Sequence, residues 1–177
     1  MLNKKFIDKY KKTKCFKVAK FSENNLKNYK YKKPSEFFSF FWKKYESNVK
    51  KLKLNNVYNG TAFGIILCYL FLREQIEIQK MDEDVDVFEV KPDFLINSKS
   101  GKEIFLSIKT SGRERWKQAD WEAIEYKKTF PKTECVLLMN HEKEVNLAKK
   151  KVPHITLDKI LYAQSKDLDD LIDLIKK

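Results

Sequence analysis

The chain has 177 residues and a formal net charge of +12, with 37 lysines and arginines against 25 aspartates and glutamates. This length supports a hydrophobic core and predicts a single domain over residues 1–177, in which residues 1–33 form a basic N-terminal extension or arm. The positive charge favours a polyanionic partner such as nucleic acid. An AT-rich genome also encodes many lysines, so the charge by itself does not establish DNA binding.

The cysteines and the apolar runs argue against several classes of protein. Cys15, Cys68 and Cys135 are scattered and odd in number, which is atypical of a disulfide framework or a zinc site. Cys68 and Cys135 lie in apolar runs and are expected to be small core residues. The basic N-terminus lacks the apolar stretch of a signal peptide, and the apolar run at residues 65–72 is too short to span a bilayer. We therefore expect a cytoplasmic protein that does not enter the membrane.

The first half of the chain is predicted to be helical. Residues 1–33 are rich in lysine and tyrosine, and either wrap the core or lie along a DNA backbone. Pro34 is well placed in the first turn of a helix, and the aromatic residues after it recur at helical spacing. That helix faces the core or a dimer partner, or its aromatic residues stack an extruded base. A second helix, capped by Thr61, is apolar on most faces and is predicted to be buried.

Residues 90–122 contain the densest set of candidate functional residues. A strand pattern around Asp93 is followed by a turn at residues 98–101 and by a second strand pattern that ends at Lys109. A hairpin is the simplest way to pair two strands so close in sequence. Because side chains alternate across a strand, Ser107 and Lys109 share one face near the strand end. We expect Asp93 to lie across from the Lys109 region.

A helix follows the hairpin and carries Glu122, so an acid, a lysine and a helical acid are predicted to converge. Asp93 and Glu122 supply the hard oxygen ligands that Mg²⁺ prefers, and Mg²⁺ polarises a scissile phosphate and activates water. Lys109 holds the attacking water or stabilises the charge that develops on the phosphorane. The opposite charges also favour each other's ionised forms. This constellation suits metal-dependent phosphodiester cleavage.

Between the lysine and the helix, Arg113, Glu114 and Arg115 offer groups that recognise DNA bases. Arginine bonds O6 and N7 of guanine, and glutamate accepts from N4 of cytosine. The triplet therefore predicts recognition of G·C pairs in the major groove. The alternative is a first helical turn with solvated charges. Lys117 and Gln118 follow closely and are candidate contacts to the DNA backbone.

After residue 122 the sequence predicts a further strand and the helix that connects it to the hairpin. Residues 135–139 form a continuous apolar run, typical of a strand covered on both faces. A strand–helix–strand unit places this strand parallel to the one that ends at Lys109. The helix between them faces the sheet with one of two sets of residues: Ala119, Ala123 and Tyr126, or Trp116 and Ile124.

Two further elements complete the prediction. Residues 155–157 are a candidate edge strand. A C-terminal helix carries a narrow apolar stripe formed by Leu168, Leu171, Ile172 and Ile175, which packs against the sheet or contacts a dimer partner. The predicted fold class is α/β, with a mixed central β-sheet flanked by α-helices.

The order PD…S-x-K followed by a displaced glutamate resembles the PD-(D/E)XK nuclease superfamily. Within it, the chain is similar to the restriction endonucleases with CCGG-type sites, the SsoII/EcoRII/NgoMIV-like family. In those enzymes a small residue replaces the acid of the (D/E)XK triplet, which is Ser107 here, and a glutamate on the next helix takes over. The distance along the chain from the lysine to this glutamate in the family favours Glu122 over Glu125. The run KTSGRERWKQAD is also similar to the segment with which SsoII/EcoRII-like members recognise bases, and the resemblance covers residues 90–126.

The resemblance implies a restriction-endonuclease-like core and a Mg²⁺-dependent type II restriction endonuclease. Such an enzyme cuts double-stranded DNA at a palindromic site, here with CC and GG halves of the CCGG or CCNGG type. A palindrome implies a homodimer. Host DNA then needs protection, which implies a cognate DNA methyltransferase and a prokaryotic cytoplasm.

Two positions depart from what the resemblance implies. Many nucleases of the superfamily carry a glutamate where this chain has Gly64, which puts a second metal in doubt. Relatives that flip a base place an arginine one turn before a tryptophan, where this chain has Phe38 before Trp42.

Two other functions fit parts of the sequence. A DNA-repair or junction-resolving nuclease on the same fold would keep Asp93, Lys109 and Glu122 but would have no use for a base-recognising triplet. A non-catalytic basic DNA-binding module would depend on the net charge alone. It predicts salt-sensitive binding and no cleavage with Mg²⁺.

Overall fold

The computed structural model describes residues 7, 8, 10–18, 21–53, 58–80, 92–110, 115–150 and 156–177. The chain divides into two compact units, Met1–Glu77 and Ile78–Lys177. The single domain over residues 1–177 stays a prediction. Among the described residues, no helix combines the length and the apolar character needed to cross a bilayer.

The first unit is helical and packs around one apolar helix. Its elements are α1 (Lys14–Val18), α2 (Glu23–Asn28), α3 (Pro34–Lys51) and α4 (Asn59–Arg73). Helix α4 is buried from Ala62 to Phe71, as its apolar sequence predicts. The predicted cap at Thr61 is wrong, because the helix begins at Asn59 and Thr61 lies inside it; Tyr58, the residue before the helix, makes no side-chain capping bond.

Helix α3 begins at Pro34 as predicted and supplies aromatic side chains to this core. Phe38 and Trp42 are 0 % and 2 % exposed and stack on each other, with ring centroids 6.1 Å apart. Burial of both rings favours the core role for them over stacking on an extruded base. Cys15, Phe21 and Leu26, from residues 1–33, are buried in the same unit.

The second unit contains a five-stranded mixed sheet. Its strands are β1 (Ile78–Lys80), β2 (Phe94–Asn97), β3 (Glu103–Lys109), β4 (Glu134–Met139) and β5 (Lys159–Tyr162), in that order across the sheet. The β1–β2 and β2–β3 pairs are antiparallel, and the β3–β4 and β4–β5 pairs are parallel. The predicted hairpin and the predicted parallel strand are confirmed. Gly101 closes the hairpin turn with φ of +79°, in the left-handed region where glycine has no steric penalty.

The described residues of this unit also form the helices α5 (Arg115–Thr129), α6 (Glu142–Lys149) and α7 (Lys166–Lys176). Helix α5 is the crossover between the parallel strands β3 and β4, and it faces the sheet with Ala119, Ala123 and Tyr126 rather than with Ile124, which is 39 % exposed. These side chains share a buried cluster with Phe105 of β3 and with residues of β4 and α6. The four residues of the apolar stripe on α7 are all buried within the chain, which favours packing over a dimer contact for this stripe. The α/β fold class with a mixed sheet flanked by helices is therefore confirmed.

The predicted edge strand at residues 155–157 is wrong within the described residues, which begin at Thr156. The edge strand is β5, and the backbone N–H groups of Thr156 and Leu157 bond to the Asp120 carboxylate on α5 instead of to a strand, the second at 3.2 Å. A three-residue apolar run carries too little periodic pattern to separate a strand from a loop that is tied to a helix.

Strand β4 begins with a buried, ion-paired carboxylate and a buried thiol. Glu134 at the start of β4 is 4 % exposed and is ion-paired with Lys102 and, at 2.6 Å, with Lys159. Cys135 beside it is a free, buried thiol whose pKa burial raises to about 12. Cys68 is also buried in α4. Both cysteines are small core residues, as predicted.

Candidate active site

The β2–β3 register brings Asp93 to the end of β3. Phe94 pairs with Leu106, so Asp93, one residue before β2, lies opposite Ser107. Its Oδ2 accepts a hydrogen bond from the backbone N–H of Ile108 at 2.7 Å and lies 3.4 Å from Ser107 Oγ. The hairpin therefore places Asp93 and anchors its carboxylate on the β3 backbone.

Helix α5 brings the second carboxylate to the same strand. It packs on the β3 face that carries Phe105, Ser107 and Lys109, and the small side chains Ala119 and Ala123 allow a close approach. Glu122, on the same helix, accepts a hydrogen bond at Oε2 from Ser107 Oγ at 3.2 Å. The side chain of Glu122 is only 12 % exposed.

Lys109 lies between the two carboxylates. Its Nζ is 3.6 Å from Asp93 Oδ2 and 3.5 Å from Glu122 Oε2, and its side chain is 10 % exposed. Carboxylates this close to one hydroxyl would repel each other, and the ammonium offsets that repulsion. At this exposure the charge of the lysine is only weakly screened by water.

Ser107 is fully buried and is the common partner of both acids. A hydroxyl has one hydrogen, so at any moment it donates to Asp93 or to Glu122 and not to both. An aspartate or glutamate at this position would add a third buried carboxylate beside the other two. The serine instead links the two carboxylates without adding charge.

The structure thus brings together four of the residues that the sequence singles out: Asp93, Ser107, Lys109 and Glu122. Their convergence follows from the hairpin and from the crossover helix, as predicted, whereas their catalytic and metal-binding roles stay predictions.

The donor set fits Mg²⁺, which binds proteins through one or two carboxylates and keeps several waters. In the part of the chain that the structure describes, no group of three or more histidine, cysteine or acidic side chains gathers around one point. A site built from Asp93 and Glu122 leaves the remaining coordination positions to water or to the phosphate of a substrate.

The base-recognition triplet is only partly described. Arg113 and Glu114 lie outside the described residues. Arg115 is the first residue of α5 and is exposed. Lys117 is also exposed, with its Nζ 5.7 Å from the centroid of the Trp116 ring. Contacts of these residues to DNA stay predictions.

Gln118 has a partner that the sequence analysis missed. Its side-chain amide donates to Glu122 Oε1 at 2.8 Å. The spacing of Gln118 and Glu122, i and i+4 on one helix, is the clue that the sequence offered, because such side chains are neighbours on a helix surface.

Comparisons with known proteins bear on the fold. No family model and no curated protein matches the chain. A solved structure described as a restriction endonuclease PspGI–substrate DNA complex matches with a TM-score of 0.56 over 99 % of this chain and 82 % of that chain. The fold is that of a restriction endonuclease. The sequence identity is 16 %, so this likeness establishes the fold alone.

Proposed function

We propose that the chain is a type II restriction endonuclease that hydrolyses phosphodiester bonds of double-stranded DNA sequence-specifically and with Mg²⁺. The observation that carries the proposal is the convergence of Asp93, Ser107, Lys109 and Glu122 at the end of β3 in a restriction-endonuclease fold. Two carboxylates and a shielded ammonium that meet at one strand end match what phosphodiester hydrolysis needs: a metal ligand set and a positive charge beside the reacting phosphate.

Each residue of the site has a role in this proposal. Asp93 and Glu122 hold Mg²⁺, which when bound polarises the scissile phosphate and activates water. The Lys109 ammonium orients the attacking water and stabilises the negative charge that develops on the phosphate. Ser107 aligns the two carboxylates through its hydroxyl.

Base recognition is assigned to Arg113, Glu114 and Arg115. The target is a palindromic site with CC and GG halves, of the CCGG or CCNGG type. Arginine suits guanine, and glutamate suits cytosine. Arg115 begins the helix that carries Glu122, so a DNA contact at the start of α5 would bear directly on the position of one metal ligand. Lys117 is assigned to DNA phosphates, which it can approach because it is exposed.

The proposal extends to partners. A palindromic site is matched by a symmetric homodimer. The net charge of +12 favours association with DNA at low salt. A cognate DNA methyltransferase would protect the genome of the prokaryotic cell, and the enzyme would act in its cytoplasm.

The test is digestion of unmethylated phage DNA by the purified chain with Mg²⁺, followed by sequencing of the fragment ends. We expect discrete bands with a common end sequence, which would give both the target and the stagger, and we expect Lys109→Ala to abolish them. A smear, or cleavage only at branched DNA, would point to a repair or junction-resolving nuclease. DNA that is retarded on a native gel but uncut would point to a binding module and refute the proposal.

A further inference from the structure

The two oxygens of the Glu122 carboxylate have different partners. Oε1 accepts from Gln118 Nε2 at 2.8 Å. Oε2 lies 3.2 Å from Ser107 Oγ and 3.5 Å from Lys109 Nζ. The terminal torsion of a glutamate is otherwise broad, so contacts at both oxygens are what set the plane of this carboxylate.

The partners of Oε2 are also the partners of Asp93. Ser107 Oγ lies 3.4 Å from Asp93 Oδ2, and Lys109 Nζ lies 3.6 Å from the same oxygen. Glu122 Oε2 and Asp93 Oδ2 are therefore turned towards the same hydroxyl and the same ammonium. Glu122 Oε1 is turned towards Gln118, an exposed side chain on the helix.

We propose that Gln118 is a positioning residue that holds Glu122 Oε1 and so presents Oε2, the oxygen on the Asp93 side, as the single metal ligand of this carboxylate, which favours Mg²⁺ over Ca²⁺. Mg²⁺ demands near-ideal octahedral geometry and takes few carboxylate oxygens, whereas Ca²⁺ readily accepts both oxygens of one carboxylate. Oε1 accepts from the amide at 2.8 Å, whereas the contacts of Oε2 with Ser107 and Lys109 are longer, at 3.2 and 3.5 Å. Oε1 is therefore the less available of the two oxygens for such two-oxygen binding. The inference rests on the proposed nuclease function and adds a determinant of cation preference to it.

The plain alternative is an ordinary glutamine–glutamate pair on a helix surface, which stabilises the helix slightly and does nothing else. The same helix offers a surface pair between a side-chain donor and a carboxylate for comparison. Lys128 donates to the Glu125 carboxylate at 2.6 Å, with side chains that are 64 % and 30 % exposed. Glu122, at 12 % exposed and in contact with Ser107 and Lys109, lies in a different environment.

The experiment compares Gln118→Met with Lys128→Met. Each variant replaces a side-chain donor to a nearby carboxylate of α5 by an unbranched apolar side chain. Mn²⁺ binding, as a probe for a Mg²⁺ site, is measured from the loss of the free-ion paramagnetic resonance signal. Ca²⁺ binding is measured by calorimetry, both without DNA. The Mg²⁺ concentration for half-maximal cleavage of phage DNA is measured in parallel.

We expect Gln118→Met to weaken Mn²⁺ binding about 10-fold, as loss of a hydrogen-bond partner to a metal ligand typically does. Ca²⁺ binding should weaken much less, because the released carboxylate can offer both oxygens. The half-maximal Mg²⁺ concentration should rise in step with the loss of Mn²⁺ affinity. Lys128→Met should leave all three measurements unchanged. Circular dichroism checks the fold, and Gln118→Ala repeats the test with a shorter side chain.

The outcomes separate this inference from the function on which it rests. If the unmodified protein binds Mn²⁺ and cuts DNA, and Gln118→Met does both equally well, the positioning role is wrong and the nuclease stands. Equal losses of Mn²⁺ and Ca²⁺ affinity would refute the preference for one oxygen. An unmodified protein that neither binds Mn²⁺ nor cuts DNA would overturn the proposed nuclease, and the positioning role with it.

Discussion

Replacing Lys109 by methionine should both destabilise the protein and slow cleavage strongly. Methionine keeps an unbranched apolar stem but removes the ammonium. In the native protein that ammonium lies 3.6 Å from Asp93 Oδ2 and 3.5 Å from Glu122 Oε2. Without it, the two carboxylates approach the Ser107 hydroxyl with no positive charge between them.

The size of the loss follows from the burial of the three side chains. At an effective dielectric constant of about 20, a pair at this separation attracts by roughly 4 kcal/mol before desolvation is subtracted. Removing one partner of a buried ion pair costs about 3–5 kcal/mol, because the other charge is left uncompensated. Lys109 and Glu122 are 10 % and 12 % exposed, but Asp93 is 35 % exposed and can regain water. We therefore expect a loss of about 3 kcal/mol in the free energy of unfolding, at the lower end of that range.

The assay is thermal unfolding in EDTA at neutral pH, with Lys128→Met as the matched control. For a chain of this size, about 3 kcal/mol lowers Tm by roughly 6–12 °C. Lys128 is 64 % exposed, and an exposed ion pair contributes about 0–1 kcal/mol, so its Tm should barely change. Adding Ca²⁺ should raise the Tm of Lys109→Met, because a cation that binds only the folded state stabilises it.

Cleavage is measured on the same preparations with phage DNA and Mg²⁺. Loss of a preorganised charge at the reacting phosphate should lower the rate by about 10²–10³-fold. A Lys109→Met protein with unchanged Tm would show that the two carboxylates do not depend on the ammonium. Cleavage at the unmodified rate would refute the role of Lys109 in the reaction, whatever the effect on stability.

Three further predictions concern base recognition and the second unit. Arg113→Ala should abolish site-specific cleavage with Mn²⁺ binding unchanged, and undiminished cleavage of the cognate site would contradict the base contact. Burial raises the pKa of the Glu134 carboxyl, but Lys102 and Lys159 lower it more, so the net pKa lies below its usual value. The ionised Glu134 carboxylate therefore stabilises the folded protein fully at neutral pH, and this stabilisation is lost as the pH falls from the usual glutamate pKa through the lowered one. Glu134→Gln should lower the free energy of unfolding, measured in urea, by about 1–2 kcal/mol at pH 7. In acid the variant should lower it much less. Asp120→Ala should cost about 1–3 kcal/mol in thermal unfolding, because it leaves the backbone N–H groups before β5 without their acceptor.

The local order of the hairpin could be predicted from the sequence because side chains on a strand alternate with a period of two. That rule alone places Ser107 and Lys109 on one face, and a short turn that ends at Gly101 brings Asp93 back beside them. The same reasoning predicts the buried strand β4 from a continuous apolar run. In each case the information lies within a few neighbouring residues.

Contacts that join distant parts of the chain were not predictable in the same way. The apolar run before β5 resembles a strand in isolation, but its backbone N–H groups bond to Asp120, 36 and 37 residues earlier in the chain. The choice between Glu122 and Glu125 on α5 came from a resemblance. In the structure, the Glu122 carboxylate accepts a hydrogen bond from Ser107, whereas Glu125 is paired with Lys128 at the surface.

By itself, then, the sequence determined the hairpin, the crossover helix, the strand β4 and the strand faces, because these depend on periodicities of two and 3.6 residues. Only the tertiary structure decided how α5 lies over β3. That packing brings the Glu122 carboxylate to Ser107 and Lys109 and leaves its other oxygen to Gln118. The rotation of a helix about its axis is set by which side chains fit against the sheet, here Ala119 and Ala123, and no spacing along the chain encodes that fit.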